Sequence, residues 1–321
     1  MQPVALVLRD SYLMTKDIDL DQRTDAPVMD GLVNRCIAAA FEALRGSTPV
    51  FTKVQQEHLG FVFKSMRPTH EAIRELLRPE NKSPLSVNAM PLARLQLETL
   101  YSVCLVLDQP QYLDLYLKHC WKQIYVRHLL MSAECKNLSL IMTELDKQLL
   151  ALEGLRKLAG VTDEEMATIR REQLGESLPV GMSSAPIQQF PTPGFVVRKM
   201  RDSDRKKMLT RLYFEYQFLC SFVHFSPHPR TFMGFFDDRE PFGRMFSTGE
   251  LENMFQKEIA GPAIWIDFLS IVQSAAEIVS LFPADVELRR AVTDAWAVLS
   301  ERTIMGRAVW EFRAKKLLGI I

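Results

Sequence analysis

Helical periodicity runs through almost the whole of this 321-residue chain, and no stretch alternates polar and apolar residues as a half-buried strand must. Only 14 residues are glycine, a scarcity that works against folds made of many tight turns or glycine-rich phosphate loops. The expected fold class is therefore all-α: a single large multi-helix bundle. Asp30 and Gly31 are expected to open the first helix, closed by Gly46. Thr48-Pro49 reads as the next cap, Pro68 as an interruption, and Thr69 to Leu77 as a short helix of its own. Thr162-Asp-Glu-Glu has the form of a capping box. The segment Gly175 to Gly194 is rich in Pro, Gly and Ser, so a long loop or lid is expected near residues 175–200. Residues 1–28 are expected to form an N-terminal leader and residues 29–321 a single helical domain interrupted by that loop.

The most apolar run, Ala263 to Phe282, has membrane-like composition but carries Asp267, Gln273 and Glu277. Polar groups of that kind point to a buried helix rather than a bilayer span. Lys plus Arg and Asp plus Glu both number 39, so no global field draws the chain to nucleic acid or membrane, and any such contact must be a local patch. The five cysteines, Cys36, Cys104, Cys120, Cys135 and Cys220, are scattered, with no Cys-x-x-Cys pair. They predict free thiols and a cytoplasmic location, and the polar residues of the Ala263–Phe282 run add the expectation of no membrane contact.

Two polar constellations interrupt the apolar helices. Arg94 and Glu98 share one helical face, which Tyr101 continues. Tyr213, Gln217, Ser221 and His224 form a stripe on a later helix, flanked by Tyr216 and Cys220 and followed by His228. Charge in an apolar helix is costly unless paired, so the expectation is a polar centre built from Arg94, Glu98, Ser221 and His224. Tyr101, Tyr216, Gln217 and His228 would serve it as binding residues. The bland reading of each constellation is a structural ion pair and a satisfied core histidine. Ser221 and His224 make no hydrolase, because a helix C-terminus presents carbonyls rather than oxyanion donors. Proline after His224 spoils the spacing to His228, so no metal and no cofactor is expected.

Between Arg198 and Arg211 lie Arg198, Lys199, Arg201, Arg205, Lys206, Lys207 and Arg211, offset in part by Asp202 and Asp204. This is either a solvated helix start or an RNA-contacting patch. The phenylalanines Phe232, Phe235, Phe236, Phe242 and Phe246 read as packing rather than base stacking.

Ala93-Arg94-x-x-x-Glu98 followed by Tyr216-x-x-x-Cys220-Ser221-x-x-His224 resembles a bacterial family of helical proteins of unassigned function. That family is in turn similar to HEPN-type helical bundles, many of which bind or cleave RNA. The resemblance implies an all-α fold and RNA as a partner. The HEPN catalytic signature sets an Arg a short spacer before a His on one helix end, and the corresponding positions here are Gln217, Phe218 and Leu219. The leading expectation is an interaction protein, working through RNA or a protein partner. A metal-independent HEPN-like ribonuclease of a defence or toxin–antitoxin system is the alternative, with His224 as acid or base and Arg94 stabilising phosphorane charge. A small-ligand enzyme closed by the 175–200 loop is a third.

Overall fold

A computed structural model describes residues 25–46, 48–78, 84–223 and 255–320. Among these all the regular structure is helical, with no strand. In order come α1 (Asp25–Ala43), α2 (Lys53–Leu76), a 3-10 turn (Pro84–Asn88), α3 (Ala89–Asp108), α4 (Gln111–Glu134), α5 (Ser139–Leu158), α6 (Asp163–Leu174), α7 (Pro193–Lys199) and α8 (Ser203–Cys220). A π turn (Gln256–Ala260) leads into α9 (Gly261–Val279), followed by α10 (Val286–Arg302), α11 (Ile304–Val309), a second π turn (Trp310–Ala314) and α12 (Lys315–Leu318). The described chain falls into two compact units, the first drawn from residues 25–108 and 193–320 and the second from residues 109–192.

The first unit is built on α9. Every residue from Gly261 to Val279 is buried, and α3 lies along this helix with α1, α2 and α10 also packed on it. By length and composition, Glu258–Val279 resembles a membrane span, but its whole surface is covered by protein. Full burial of each Ile, Leu, Val or Phe contributes roughly 1.5–3 kcal/mol, which makes α9 the main apolar anchor of the unit. The polar groups that distinguish it from a bilayer helix, Asp267, Gln273 and Glu277, are likewise fully buried and find partners inside.

Two expected boundaries shift. Thr52, not Thr48, caps α2: its side chain accepts from the Gln55 N–H, and the Gln55 side chain accepts in return from the Thr52 N–H, a capping box. Pro68 lies inside α2 instead of ending it. Burial carries the helix across, since Leu59, Phe63, Met66, His70 and Ile73 make one continuous core stripe. The Met66 carbonyl also accepts from the Gln96 side-chain amide at 2.8 Å. The first helix begins at Asp25, so residues 25–28 belong to it and not to a leader.

The second unit has its own core. Trp121 and Tyr125 of α4 stack with centroids 4.6 Å apart, and Leu129, Leu152, Val161, Ile169 and Ile187 complete the cluster. The indole of Trp121 donates to the Leu152 carbonyl at 2.9 Å. Thr162 caps α6 through the expected box with Glu165. Residues 175–192 are not a detached lid. Ile187 is part of the core cluster, the Ala185 N–H donates to Thr168 Oγ1 at 2.9 Å, and Phe190 packs edge-on against Tyr116 at 5.1 Å. Residues 193–199, expected as loop, form α7 in the first unit because Pro193 and Val196 are buried.

Candidate functional site

Arg94 and Glu98 of α3 meet Tyr216 of α8. The spacing of four residues brings the Arg94 guanidinium to 2.7 Å from Glu98 Oε1. From α8, the Tyr216 hydroxyl donates to the same oxygen at 3.0 Å and accepts from Arg94 Nη2 at 3.1 Å. Guanidinium, carboxylate and phenol thus close a three-membered ring of hydrogen bonds, with the Arg94 carbon 5.3 Å from the Tyr216 ring centre. The Arg94 and Glu98 side chains remain 22% and 30% exposed, so solvent reaches the centre. Burial lowers the Arg94 pKa, but the Tyr216 hydrogen bond and the Glu98 charge outweigh it and hold the guanidinium firmly charged. Burial pushes the Tyr216 phenol up, against the pull of Arg94, so it stays a neutral phenol that donates to Glu98 and accepts from Arg94.

The other sequence-selected residues divide. Tyr101 is sealed, donates to the Leu209 carbonyl at 2.6 Å and has no route to a ligand. Ser221 spends its hydroxyl proton on the Phe218 carbonyl at 2.7 Å. Gln217 points outward and is exposed, while its neighbour Tyr216 faces Arg94. Cys220 lies beside Tyr216 one turn along α8 and is half-buried. His224 and His228 lie outside the described residues, as do Asp237, Asp238 and the phenylalanines from Phe232 to Phe246. Among the described residues no group of His, Cys, Asp and Glu is disposed to hold a metal ion.

Outward from this centre, α7 and α8 carry a sorted charge distribution. Arg198, Lys199, Arg201, Lys206, Lys207 and Arg211 are exposed. Arg205, expected among them, is not: its guanidinium turns inward to Glu277 Oε2 at 2.7 Å. The acids of the same stretch are also withdrawn. Asp202 caps α8 and meets Arg313 at 3.3 Å, Asp204 is held by Lys316 at 2.8 Å, and Glu215 is buried, its carboxyl pushed up to about 7 by burial. The exposed cations of this stretch thus outnumber its acids, which are capped, paired or buried.

Compared with protein-family models, with curated proteins and with solved structures, the chain matches none. What the site can do therefore has to come from its own chemistry.

Two buried networks escape inspection of the sequence. In one, His70 of α2 is clasped by Asp267 of α9 at 2.5 Å and by Asp30 of α1 at 3.2 Å. Arg74 adds an ion pair to Asp30 at 2.9 Å, and the Gln96 amide donates to Asp267 at 2.9 Å. In the other, Glu277 receives Arg205 Nε at 2.7 Å and one edge of the Arg313 guanidinium, Nε and Nη2, at 2.8 Å, together with the Gln273 amide at 2.9 Å. His70 and Glu277 are inaccessible, so both networks hold helices together rather than meet a substrate. The signal for them was present: acids in the apolar α9 sequence require cationic partners, and His70 sits on the core stripe of α2. A surface groove of about 370 Å³ between the end of α1 and the start of α2, floored by Phe41 and Gly60, includes none of the residues singled out from sequence.

Proposed function

We propose that this chain is a cytoplasmic binding protein that contacts RNA through the exposed face of α7 and α8. The observation that carries this reading is the charge sorting: six cations point outward while Asp202, Asp204, Glu215 and Arg205 are consumed inside or paired. A net-neutral chain has no global attraction for a polyanion, so a local concentration of outward-facing positive charge supplies the field. The resemblance to helical families that work on RNA supports the same partner. Free thiols at all five cysteines suit a reducing compartment.

The test is titration of labelled RNA with the purified full chain at stepped salt concentrations. Lys206→Glu combined with Lys207→Glu is expected to weaken binding at least about tenfold and to flatten the salt dependence, by roughly 0.7 in log–log slope for each phosphate that is no longer neutralised. Both side chains are exposed, so the fold is retained. Binding that ignores salt and these substitutions would remove the reading.

One observation favours the ribonuclease alternative as a second reading. The Arg94 guanidinium is reachable by solvent, and its Nε is buried without a partner among the described residues. In the same RNA mixtures, cleavage by wild type that disappears in folded Arg94→Ala and His224→Ala would establish it. Intact RNA after prolonged incubation would leave binding alone.

A further inference from the structure

The sequence between Arg198 and Arg211 has no aromatic residue, but the folded face does. Phe195 of α7 is exposed, and Phe214 of α8 is 69% exposed. What sets these two rings apart from other exposed apolar side chains is the cations around them, among them Arg198 against Phe195 and Lys207 and Arg211 beside Phe214.

Phe214 continues a row. Lys207, Arg211 and Phe214 follow one another at helical spacing on one face of α8, with Lys206, Thr210 and Gln217 beside them, all exposed. α7, which carries Phe195, packs directly on α8. Gly194 lies against Tyr213, so closely that a Cβ on it would stand 3.0 Å from the Tyr213 hydroxyl. Phe195 therefore follows the residue that touches Tyr213, and Phe214 follows Tyr213 itself. The Arg198 guanidinium stacks over the Phe195 ring at 4.2 Å, a flat cationic surface of the kind on which a base can lie. Tyr213 in turn stacks on Tyr216 at 5.8 Å, and Tyr216 closes the Arg94–Glu98 centre.

We infer that Phe195 and Phe214 are base-stacking platforms, and that this face takes an unpaired RNA strand rather than a duplex. The inference rests on the RNA-binding reading above. A double helix hides the faces of its bases and offers only backbone to such a surface, so cations alone would serve it. A single strand offers both phosphates for Lys206, Lys207 and Arg211 and base faces for the two rings. An acidic protein segment would use the same cations but gain nothing from flat stacking geometry.

The experiment compares labelled single-stranded RNA with a duplex of equal length, using the full chain and the variants Phe195→Ala, Phe214→Ala and Lys206→Glu/Lys207→Glu, with each fold checked by thermal melting. Single strand is expected to bind at least about tenfold more tightly than duplex. Each phenylalanine substitution should weaken single-strand binding by roughly five- to a hundredfold, leave duplex binding unchanged and leave the salt slope intact. The charge reversal should weaken both. Equal affinity for strand and duplex, with phenylalanine variants that bind like wild type, would overturn the stacking inference while sparing the RNA reading. No binding of either RNA by wild type would overturn both.

Discussion

Glu277→Ala is expected to lower the unfolding free energy by about 3–5 kcal/mol, seen as a fall in the urea midpoint at unchanged slope. The carboxylate is fully buried on α9 and is the common acceptor for Arg205 and Arg313. Burial by itself would raise its pKa, yet the two guanidinium groups outweigh that and hold it below the usual carboxylate range. Removing it leaves two cations in the interior, where Asp202 and Asp108 reach Arg313 and Arg205 only at 3.3 and 3.9 Å. Replacing Arg205, Glu277 and Arg313 together by Leu, Leu and Met should be far less damaging, since no orphan charge remains. A decrease below about 1 kcal/mol in Glu277→Ala would mean that water or an anion enters the site.

The second large effect is a dependence of stability on alkaline pH that belongs to His70. Burial pushes the imidazole pKa down, but hydrogen bonds to Asp267 and Asp30 prevail and push it from 6.5 up to about 9. A pKa raised by folding stabilises the native state fully below the unfolded value, and that stabilisation is lost as pH climbs through the folded value. Wild type should thus lose about 3 kcal/mol between pH 6.5 and pH 9 and beyond. His70→Gln should be less stable at neutral pH and lack this alkaline decline. Asp30 acts in the opposite sense. Its pKa is raised by burial but lowered more by His70 and Arg74, so its contribution is present above the ordinary aspartate value and fades as pH falls below it. Parallel stability profiles for wild type and His70→Gln from neutral to alkaline pH would remove His70 as the cause.

What could be read from the sequence follows from how local the determinants are. The Thr162 box was legible because cap and acceptor lie three residues apart and compete with nothing. The placement of α9 was legible because an apolar run interrupted by Asp267, Gln273 and Glu277 suits only a protein interior. Pro68 misled because its effect on the helix is local, whereas the stripe from Leu59 to Ile73 that carries the chain through it is a tertiary fact. At the site, Arg94 and Glu98 lie on one turn and were visible, but their third partner was not determined by periodicity. The stripe through Tyr213 and Gln217 is offset by one position from Tyr216, the residue that meets Arg94. Arg205 looks no different from Lys206 in sequence, and only the buried Glu277 of a distant helix separates them. Phe195 and Phe214 lie just outside the basic stretch, and the packing of α7 on α8, where Gly194 meets Tyr213, is a tertiary fact.

The Asp108 carboxylate accepts from the backbone N–H groups of Arg201 and Asp202 at 2.7 and 2.9 Å. Asp108 is the last residue before the second unit, and Arg201 comes shortly after that unit ends. The polypeptide leaves the α9-centred body and re-enters it at a place where its outgoing and returning segments are already stitched together, with α7 packed on α3 beside the stitch. Residues 109–192 therefore have the layout of a graft on a loop rather than of a link in the scaffold. Replacing residues 109–192 with a short Gly/Ser bridge from Asp108 to Pro193 should leave the α9-centred body folded as a smaller protein with one cooperative urea transition.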